Sequence, residues 1–373
     1  MKIKILEDKK IIISNPGSMH NYFGWPTIEK LRDNRIAVSA SGFRIAHLCP
    51  FGKAVMAVSA DEGKSFSAPQ VVIDTPLDDR DAGLCAFGKS GLIVTSFNNT
   101  RAAQRGWTTF VHYNKKKPEK TVNYINAYLD NVTDEQEEKY LGSTFRVSFD
   151  NGTTFGDIYK SPVTSPHGPI ELMDGSILWV GQTFNKTGAG IMKKDCICAA
   201  KLCVNTGKVE IIGEIENIEI DGIRALSCEP YAIQLPDGKI VCHIRVEIHN
   251  ADKKVFTVFQ SESTDGGITW TKPRQLLDTL GGSPAHLMLH SSGTLLSLYG
   301  YRERPFGIKA MASVDGANSW DIDNVVCEHN VHEDLGYPTS VELSDGSIYT
   351  VFYARPKEDE SASIYGIRWS FEL

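Results

Sequence analysis

The chain has 373 residues, of which 41% are hydrophobic, and its formal net charge at pH 7 is -7. This length and composition allow a large buried core, arranged either as one repeat domain or as two ordinary domains. The basic residues are scattered along the sequence, which argues against nucleic acid or an anionic membrane as a partner. We therefore expect the partner to be a small molecule.

The first residues, MKIKILEDKKIIIS, alternate charged and apolar side chains, whereas a secretory signal is continuously apolar. No apolar run approaches the length of a membrane span. The sequence as given therefore predicts a cytoplasmic protein.

The eight cysteines are too few for a dense disulfide framework, and we expect reduced thiols. Their closest cluster, Cys196, Cys198 and Cys203, could bind a metal. Cys196 and Cys198, however, alternate with Ile197 as residues on one face of a strand do, which favours a structural role. We predict neither a metal nor a cofactor.

Six segments along the chain repeat one pattern, an apolar strand, a polar turn and a second apolar strand. They start at Trp25, Asp81, His167, Glu229, Ser283 and Tyr337. A repeat of roughly fifty residues with several strands per unit is typical of propeller blades. The pattern predicts an all-β protein, a six-bladed β-propeller that spans residues 1–373 as a single domain.

A second pattern, Ser-x-Asp followed by Ser or Thr and an aromatic residue, occurs four times, beginning at Ser59, Ser148, Ser263 and Ser313. The aspartate can accept hydrogen bonds from the backbone amides of its own turn. We expect each turn to join the third strand of a blade to the fourth. The opening strands, KIKIL and IIIS, have no blade of their own, and we expect them to complete blade six.

One long interval contains the segment TVNYINAYLDNVTDEQEEKYLG, in which Thr133 and Gln136 have the spacing of a capping box. This predicts a mostly helical insertion in blade two, at about residues 113–140. Two interpretations stay open: surface decoration, or a wall or lid over the mouth of the propeller.

Residues at the starts of the innermost strands and at the ends of the second strands should converge near the axis on one face. The second strands end near Arg44, Arg101, Arg245, Arg302 with Arg304, and Arg355. Carboxylates, a tyrosine and several arginines around one pocket suit a glycosidase that acts on an acidic sugar. We expect Arg101 to pair with surface carboxylates instead, and His167 and His286 to contact the substrate.

The turns, blades and strand starts resemble the sialidase superfamily of Asp-box propellers over nearly the whole chain. The resemblance implies an arginine triad on the sugar carboxylate, an aspartate acid/base, and a tyrosine nucleophile polarised by a glutamate. It implies Asp81, in DRDAGL, as the acid/base and Tyr337, in GYPTSVELSDG, as the nucleophile. The segment CEPYAIQLPDGKIVCHIR then supplies Glu229 and Arg245, and the blade-five arginine is Arg302 or Arg304.

Blade one departs from the family, which begins it with arginine, an apolar residue and proline. Here the stretch is Gly24-Trp25-Pro26, so the first arginine is missing. Arg44 and Arg80 are candidate replacements, and Trp25 could stack on a sugar ring. Arg80 would lower the pKa of Asp81, whereas the nearby carboxylates of Asp78 and Asp79 would raise it.

Three functions therefore stay open. The first is a sialidase-like exo-acting glycoside hydrolase that cleaves a terminal, acidic sugar with retention and without a cofactor. The second is a glycosidase of the same fold for a uronic or neutral sugar, and the third is a carbohydrate-binding propeller without turnover. Aspartate, glutamate and tyrosine at separate strand starts favour an enzyme, because sugar binding alone does not require all three.

Overall fold

The computed structural model describes residues 1–108, 118–183, 196–249, 254–277, 282–328 and 331–373. Its main sheets are six small antiparallel sheets of four or five strands. Five of them consist of strands that follow one another in the chain, and the sixth combines the first strand with the last three. They are arranged as the blades of a six-bladed β-propeller, which confirms the predicted fold class.

The first half of the described chain contains the N-terminal strand, blades one to three, and the three helices, which lie in blade two. Blade one follows β1 (Lys2–Ile13) and consists of β2 (Tyr22–Lys30), β3 (Ile36–Arg44), β4 (Lys53–Ser59) and β5 (Gln70–Ile73). Blade two consists of β6 (Leu84–Phe87), β7 (Gly91–Phe97), α1 (Arg101–Trp107), α2 (Glu119–Asn131), α3 (Asp134–Tyr140), β8 (Ser143–Ser148) and β9 (Tyr159–Ser161). Blade three consists of β10 (Val163–Thr164), β11 (Ile170–Glu171), β12 (Ile177–Thr183), β13 (Ile197–Cys203) and β14 (Lys208–Ile215).

The second half begins with a short hairpin and continues with blades four to six. The hairpin consists of β15 (Glu219–Ile220) and β16 (Ile223–Arg224). Blade four consists of β17 (Leu226–Gln234), β18 (Ile240–His249), β19 (Lys254–Ser263) and β20 (Arg274–Gln275). Blade five consists of β21 (Gly282–Leu289), β22 (Leu295–Tyr301), β23 (Gly307–Ser313) and β24 (Asp321–Glu328), and blade six has β25 (Gly336–Glu342), β26 (Ile348–Ala354) and β27 (Ser363–Glu372).

The N-terminal strand closes the ring. Strand β1 pairs antiparallel with β27, from the pair Lys2 and Glu372 to the pair Ile13 and Ile364. Blade six therefore has four strands in the order β1-β27-β26-β25, as the sequence predicts. The pairing covers the edge of β27 that would otherwise offer unpaired backbone groups.

The core lies between the blades. A separate apolar cluster fills each gap between neighbouring blades, and the cluster between blades six and one joins Ile364 and Tyr353 to Val38 and Val55. Strand β26, whose two faces are both covered, is buried along all of its seven residues. Each fully buried aliphatic side chain contributes roughly 1.5–3 kcal/mol, so these interfaces hold the blades in place.

The four Ser-x-Asp turns all lie between the third and fourth strands of their blades. In the turn of blade four, Asp265 accepts hydrogen bonds from the backbone amides of Ile268 (3.1 Å) and Thr269 (2.9 Å) and from the Thr269 hydroxyl (2.6 Å). The Gly267 amide donates to Ser263 Oγ at 2.9 Å. Three turns have a glycine with positive φ at this place, whereas the fourth has Ala317, at φ 71°.

The insertion in blade two is helical, as predicted, and the capping box of Thr133 and Gln136 is present at the start of α3. Its helices begin earlier than expected, because α1 already starts at Arg101, and the predicted residues 113–117 lie outside the described residues. Tyr128 of α2 packs on Phe51 and donates a hydrogen bond to the Pro76 carbonyl (3.0 Å). Among the described helices, none combines the length and the apolar character that crossing a membrane requires.

We expect Asp265→Ala to lower the stability of the propeller without affecting its pocket, because it removes several hydrogen bonds within one turn. The Thr269 hydroxyl and amide lower the pKa of Asp265 to about 2. Since the unfolded value is about 3.9, this stabilisation is present above pH 4 and is lost as the pH falls towards 2. Melting temperatures at pH 7 and pH 2.5 measure both effects.

Asp237→Ala is the matched control, because Asp237 accepts a single backbone hydrogen bond, from Lys239, in a comparable turn. Its melting temperature should fall less than that of Asp265→Ala. Equal losses in the two variants would contradict the structural role that we assign to the Ser-x-Asp turn.

Candidate active site

Four residues at the starts of innermost strands have a left-handed backbone. They are Trp25 (φ 53°), Asp81 (φ 47°), Glu229 (φ 48°) and Tyr337 (φ 51°). In blades one, four and six the strand pairing shifts its register at this residue, which is the mark of a β-bulge. A bulge redirects the side chain of the extra residue. The bulges thus bring together side chains that come from distant parts of the sequence.

Tyr337, Glu229 and Arg245 form a closed set of hydrogen bonds. The Tyr337 hydroxyl donates to Glu229 Oε1 at 2.5 Å, and Arg245 Nη1 donates to Glu229 Oε2 at 2.6 Å. The same Arg245 nitrogen donates to the Tyr337 oxygen at 3.2 Å. Burial and the Glu229 carboxylate raise the pKa of Tyr337 well above its usual value, so the phenol is neutral until its proton moves to Glu229.

Arg245 has a second carboxylate partner that sequence reasoning missed. Its Nε and Nη2 donate to Glu247, which also binds His249 Nε2 at 2.5 Å. The spacing of two residues places Arg245 and Glu247 on the same face of β18, which is the sequence signal for this pair. Because two carboxylates already bind Arg245, its charge is largely compensated before any substrate arrives.

Asp81 lies beside this set and is almost completely buried, at 4% exposure. Burial raises its pKa to about 7; Arg80 lowers the pKa and Glu229 raises it further. Within the described part of the chain, Asp81 Oδ1 has no hydrogen-bond partner. Near neutral pH, Asp81 is therefore partly protonated and can donate a proton.

Arg80 and Trp25 form one wall of the site. The Arg80 guanidinium carbon lies 4.3 Å from the centre of a Trp25 ring, and Arg80 Nη1 donates to the His47 carbonyl at 3.3 Å. Trp25 is only 1% exposed, so its indole supports Arg80 and offers no open face to a sugar. Arg80 is thus the positive charge that blade two brings next to Asp81.

Arg44 is a structural residue in this arrangement. It is fully buried, and Asp78 binds it through both terminal nitrogens, at 2.9 Å for Nη2. Both terminal nitrogens of Arg44 are thus occupied by Asp78, and Nε, which has no partner among the described residues, is buried. The structure thus places Arg44 in a buried ion pair behind Trp25, and the substrate contact predicted for Arg44 stays a prediction.

Aromatic rings occupy the space beside Gly24, where the sialidase superfamily has its first arginine. A Cβ atom on Gly24 would lie 3.3 Å from Tyr22 Cε1 and 3.6 Å from Tyr353 Cδ2. The Tyr22 hydroxyl donates to Asp334 Oδ1 at 2.9 Å, and Asp334 also binds Arg355. Packed rings and a buried ion pair therefore replace the missing arginine.

Of the remaining predicted arginines, Arg302 lies next to Tyr337, whereas Arg304 and Arg101 have other partners. Arg302 lies 5.8 Å from the Tyr337 ring and donates to the Leu335 carbonyl at 3.0 Å, whereas Arg304 packs on Phe306. Of the two candidates from blade five, Arg302 is therefore the one that lies beside Tyr337. Arg101 binds Glu137 at 2.7 Å in the helical insertion, in agreement with the surface pairing expected for it.

His167 and His286 form a buried pair of rings 5.5 Å apart, and the His167 ring lies 6.2 Å from the Tyr337 ring. They are 1% and 5% exposed, and the His286 ring stacks on Tyr231 at 4.5 Å. Burial lowers the pKa of His286 to about 3 and that of His167 well below its usual value, so both rings are neutral. The prediction that they contact substrate stays a prediction, and the side chain of Ser283 lies outside the described residues.

The six sheets form a propeller of the kind seen in sialidase structures. No family model matches the chain, and no curated protein matches it. Solved structures do match: an intramolecular trans-sialidase from Ruminococcus gnavus is 13% identical, with a TM-score of 0.67, and the match covers 96% of this chain and 97% of that one.

Two further structures cover the whole propeller. A protein of unknown function from Dyadobacter fermentans is 16% identical, with a TM-score of 0.74 and complete coverage of both chains. An α-L-arabinanase from Penicillium chrysogenum, solved with arabinobiose, is 14% identical, with a TM-score of 0.58 over 97% of this chain and 98% of that one. At these identities the likeness establishes the fold.

We expect Asp81→Asn to stabilise the protein at high pH. Because the folded-state pKa, about 7, exceeds the unfolded value of about 3.9, the wild type loses stability as the pH rises between these values. Asparagine cannot ionise, so the variant should melt higher than the wild type at pH 8, with a smaller difference at pH 5. Asp265→Asn, which replaces a carboxylate with a low pKa, should give the same difference at both pH values. A pH-independent effect of Asp81→Asn would contradict the raised pKa.

Proposed function

We propose that this protein is a glycoside hydrolase that cleaves a terminal sugar with retention of configuration. The observation that carries the proposal is the 2.5 Å hydrogen bond from the Tyr337 hydroxyl to Glu229, with Arg245 bound to both. A phenol paired with a carboxylate base is an activated nucleophile, and a neutral nucleophile also avoids repulsion from an anionic substrate. The glycoside hydrolases among the fold neighbours support this reading.

In the first step, Tyr337 Oη forms a bond to the anomeric carbon while its proton passes to Glu229. Arg245 donates to the phenolic oxygen and stabilises the charge that develops there. Protonated Asp81 gives its proton to the glycosidic oxygen, which leaves with the bonding electron pair. The products of this step are a sugar bound covalently to Tyr337 and the released aglycone.

In the second step, the Asp81 carboxylate removes a proton from water as the water oxygen attacks the anomeric carbon. The bond to Tyr337 breaks, and Glu229 returns the proton to the phenolic oxygen. Two inversions give net retention. The partly protonated state of Asp81 near pH 7 suits a group that acts first as acid and then as base.

Tyr337→Phe and Glu229→Gln should each lower kcat by at least about a hundredfold while the protein stays folded, because each removes part of the nucleophile. The measurement is turnover of an aryl glycoside together with the melting temperature. Tyr349→Phe is the matched control, because Tyr349 lies in the same blade and its hydroxyl binds the Gly63 carbonyl away from the site. Full turnover in Tyr337→Phe would overturn the mechanism.

A neutral or uronic sugar is the second candidate substrate, and the structure around Gly24 favours it over a nonulosonic acid. Tyr22 and Tyr353 fill the place of the first arginine, and Arg245 is already bound by Glu229 and Glu247. Two of the three positive charges that would hold the carboxylate on the anomeric carbon of a nonulosonic acid are thus missing or compensated. A uronic acid carries its carboxylate on a different carbon, and a neutral sugar carries none. One fold neighbour, an arabinanase solved with arabinobiose, supports a neutral sugar as a substrate for this fold.

A panel of 4-nitrophenyl glycosides tests this specificity. We expect kcat/KM for the sialoside to be at least about tenfold below that for the best uronide or neutral glycoside, since a bidentate arginine contact to the carboxylate is lost. If the sialoside is the best substrate, the carboxylate site is complete without an arginine at position 24. Binding of the glycosides without any turnover would select the carbohydrate-binding propeller.

A further inference from the structure

A second cluster of chemically reactive side chains lies on blade three, on the face that packs towards blade two. Cys196 and Cys198 are buried, and their sulfur atoms are 3.6 Å apart. Cys198 in β13 is directly opposite Glu214 in β14, so the two side chains lie on the same face of the sheet. The two sulfurs and a Glu214 carboxylate oxygen are all within 4.8 Å of one another.

The spacing of the sulfur atoms matches a tetrahedral metal site. Two thiolates that bind one Zn²⁺ at about 2.3 Å with tetrahedral angles lie about 3.8 Å apart, close to the separation of Cys196 and Cys198. Glu214 is exposed, so its side chain can rotate towards the sulfurs, and water can reach the fourth position. Two sulfurs and one carboxylate are ligands that favour zinc over magnesium or calcium.

A buried cysteine need not have a second thiol and a carboxylate beside its sulfur atom. Cys242, for example, is buried in the apolar cluster between blades three and four, and among the described residues it belongs to no group of possible metal ligands. Cys196 is different, because the sulfur of Cys198 lies 3.6 Å from its own sulfur and a Glu214 carboxylate oxygen is also close to both. Two thiols and a carboxylate whose ligand atoms are this close together can all bind one cation.

We propose that Cys196, Cys198 and Glu214 bind one Zn²⁺ ion, with water as the fourth ligand. On binding, each thiol releases its proton to solvent, and the ionised Glu214 supplies the third bond. The ion would connect β13 to β14 and stabilise the outer part of blade three. Cys203, the third cysteine of the cluster, is exposed at the far end of β13 and takes no part.

The experiment uses the full chain, kept reduced, and titrates it with Zn²⁺ or with Co²⁺, whose thiolate complexes absorb strongly. We expect one ion per chain, a rise in the melting temperature on adding Zn²⁺, and a sulfur-to-cobalt absorption band. Cys198→Ser should abolish the band and the rise. Glu214→Gln, a change at an exposed position that leaves the core intact, should weaken binding at least about tenfold.

Cys203→Ser is the matched control and should bind the ion as the wild type does. Failure of the reduced wild type to take up Zn²⁺ at micromolar concentration would overturn the proposal. Uptake that persists in the double variant Cys196→Ser/Cys198→Ser would also overturn it, because the ion would then lie elsewhere. The same holds if Glu214→Gln binds as tightly as the wild type.

Discussion

The left-handed bulge at the start of the innermost strands is the constraint on which the site depends. A non-glycine residue in this conformation costs about 1–2 kcal/mol, and four such residues surround the axis. Regular strands would place alternate side chains against the neighbouring blades, and no phenol would meet a carboxylate at the axis. The strands that continue from each bulge, and the apolar clusters between blades, offset the cost and fix the geometry.

Buried ion pairs form the wall behind these bulges. Asp78 holds Arg44, and Asp334 holds Arg355, with all four charged groups inaccessible or nearly so. Removal of one partner from such a pair commonly costs 3–5 kcal/mol, because the other charge stays buried. Arg44 and Arg355 are therefore held in place by Asp78 and Asp334. The arginines nearest to Tyr337 and Asp81 are instead Arg245, Arg302 and Arg80, from blades four, five and two.

The sequence predicted the features that depend on local chemistry. Each Ser-x-Asp turn contains its own acceptor, so the turn at Asp265 could be located without knowing the rest of the fold, and Thr133 marked the start of a helix in the same way. The partner of Arg44 could not be predicted, because Asp78 is 34 residues away and another arginine, Arg80, competes for it. The left-handed backbone of Tyr337 could not be predicted either, because glycine and asparagine are the residues that usually adopt positive φ, and tyrosine rarely does.

The two acidic residues have different environments, which is what the two proton transfers of the proposed mechanism require. Glu229 is bound by Arg245 and accepts the Tyr337 hydroxyl, so it is arranged as a charged acceptor. Asp81 has one oxygen without a partner among the described residues. Burial raises its pKa to about 7, so it is still partly protonated near neutral pH. Two carboxyl groups in unlike surroundings can act as base and acid at the same pH. This division of roles follows from the placement of arginines: Arg245 makes direct hydrogen bonds to Glu229, whereas Arg80 stacks on Trp25 beside Asp81 and lowers its pKa only in part.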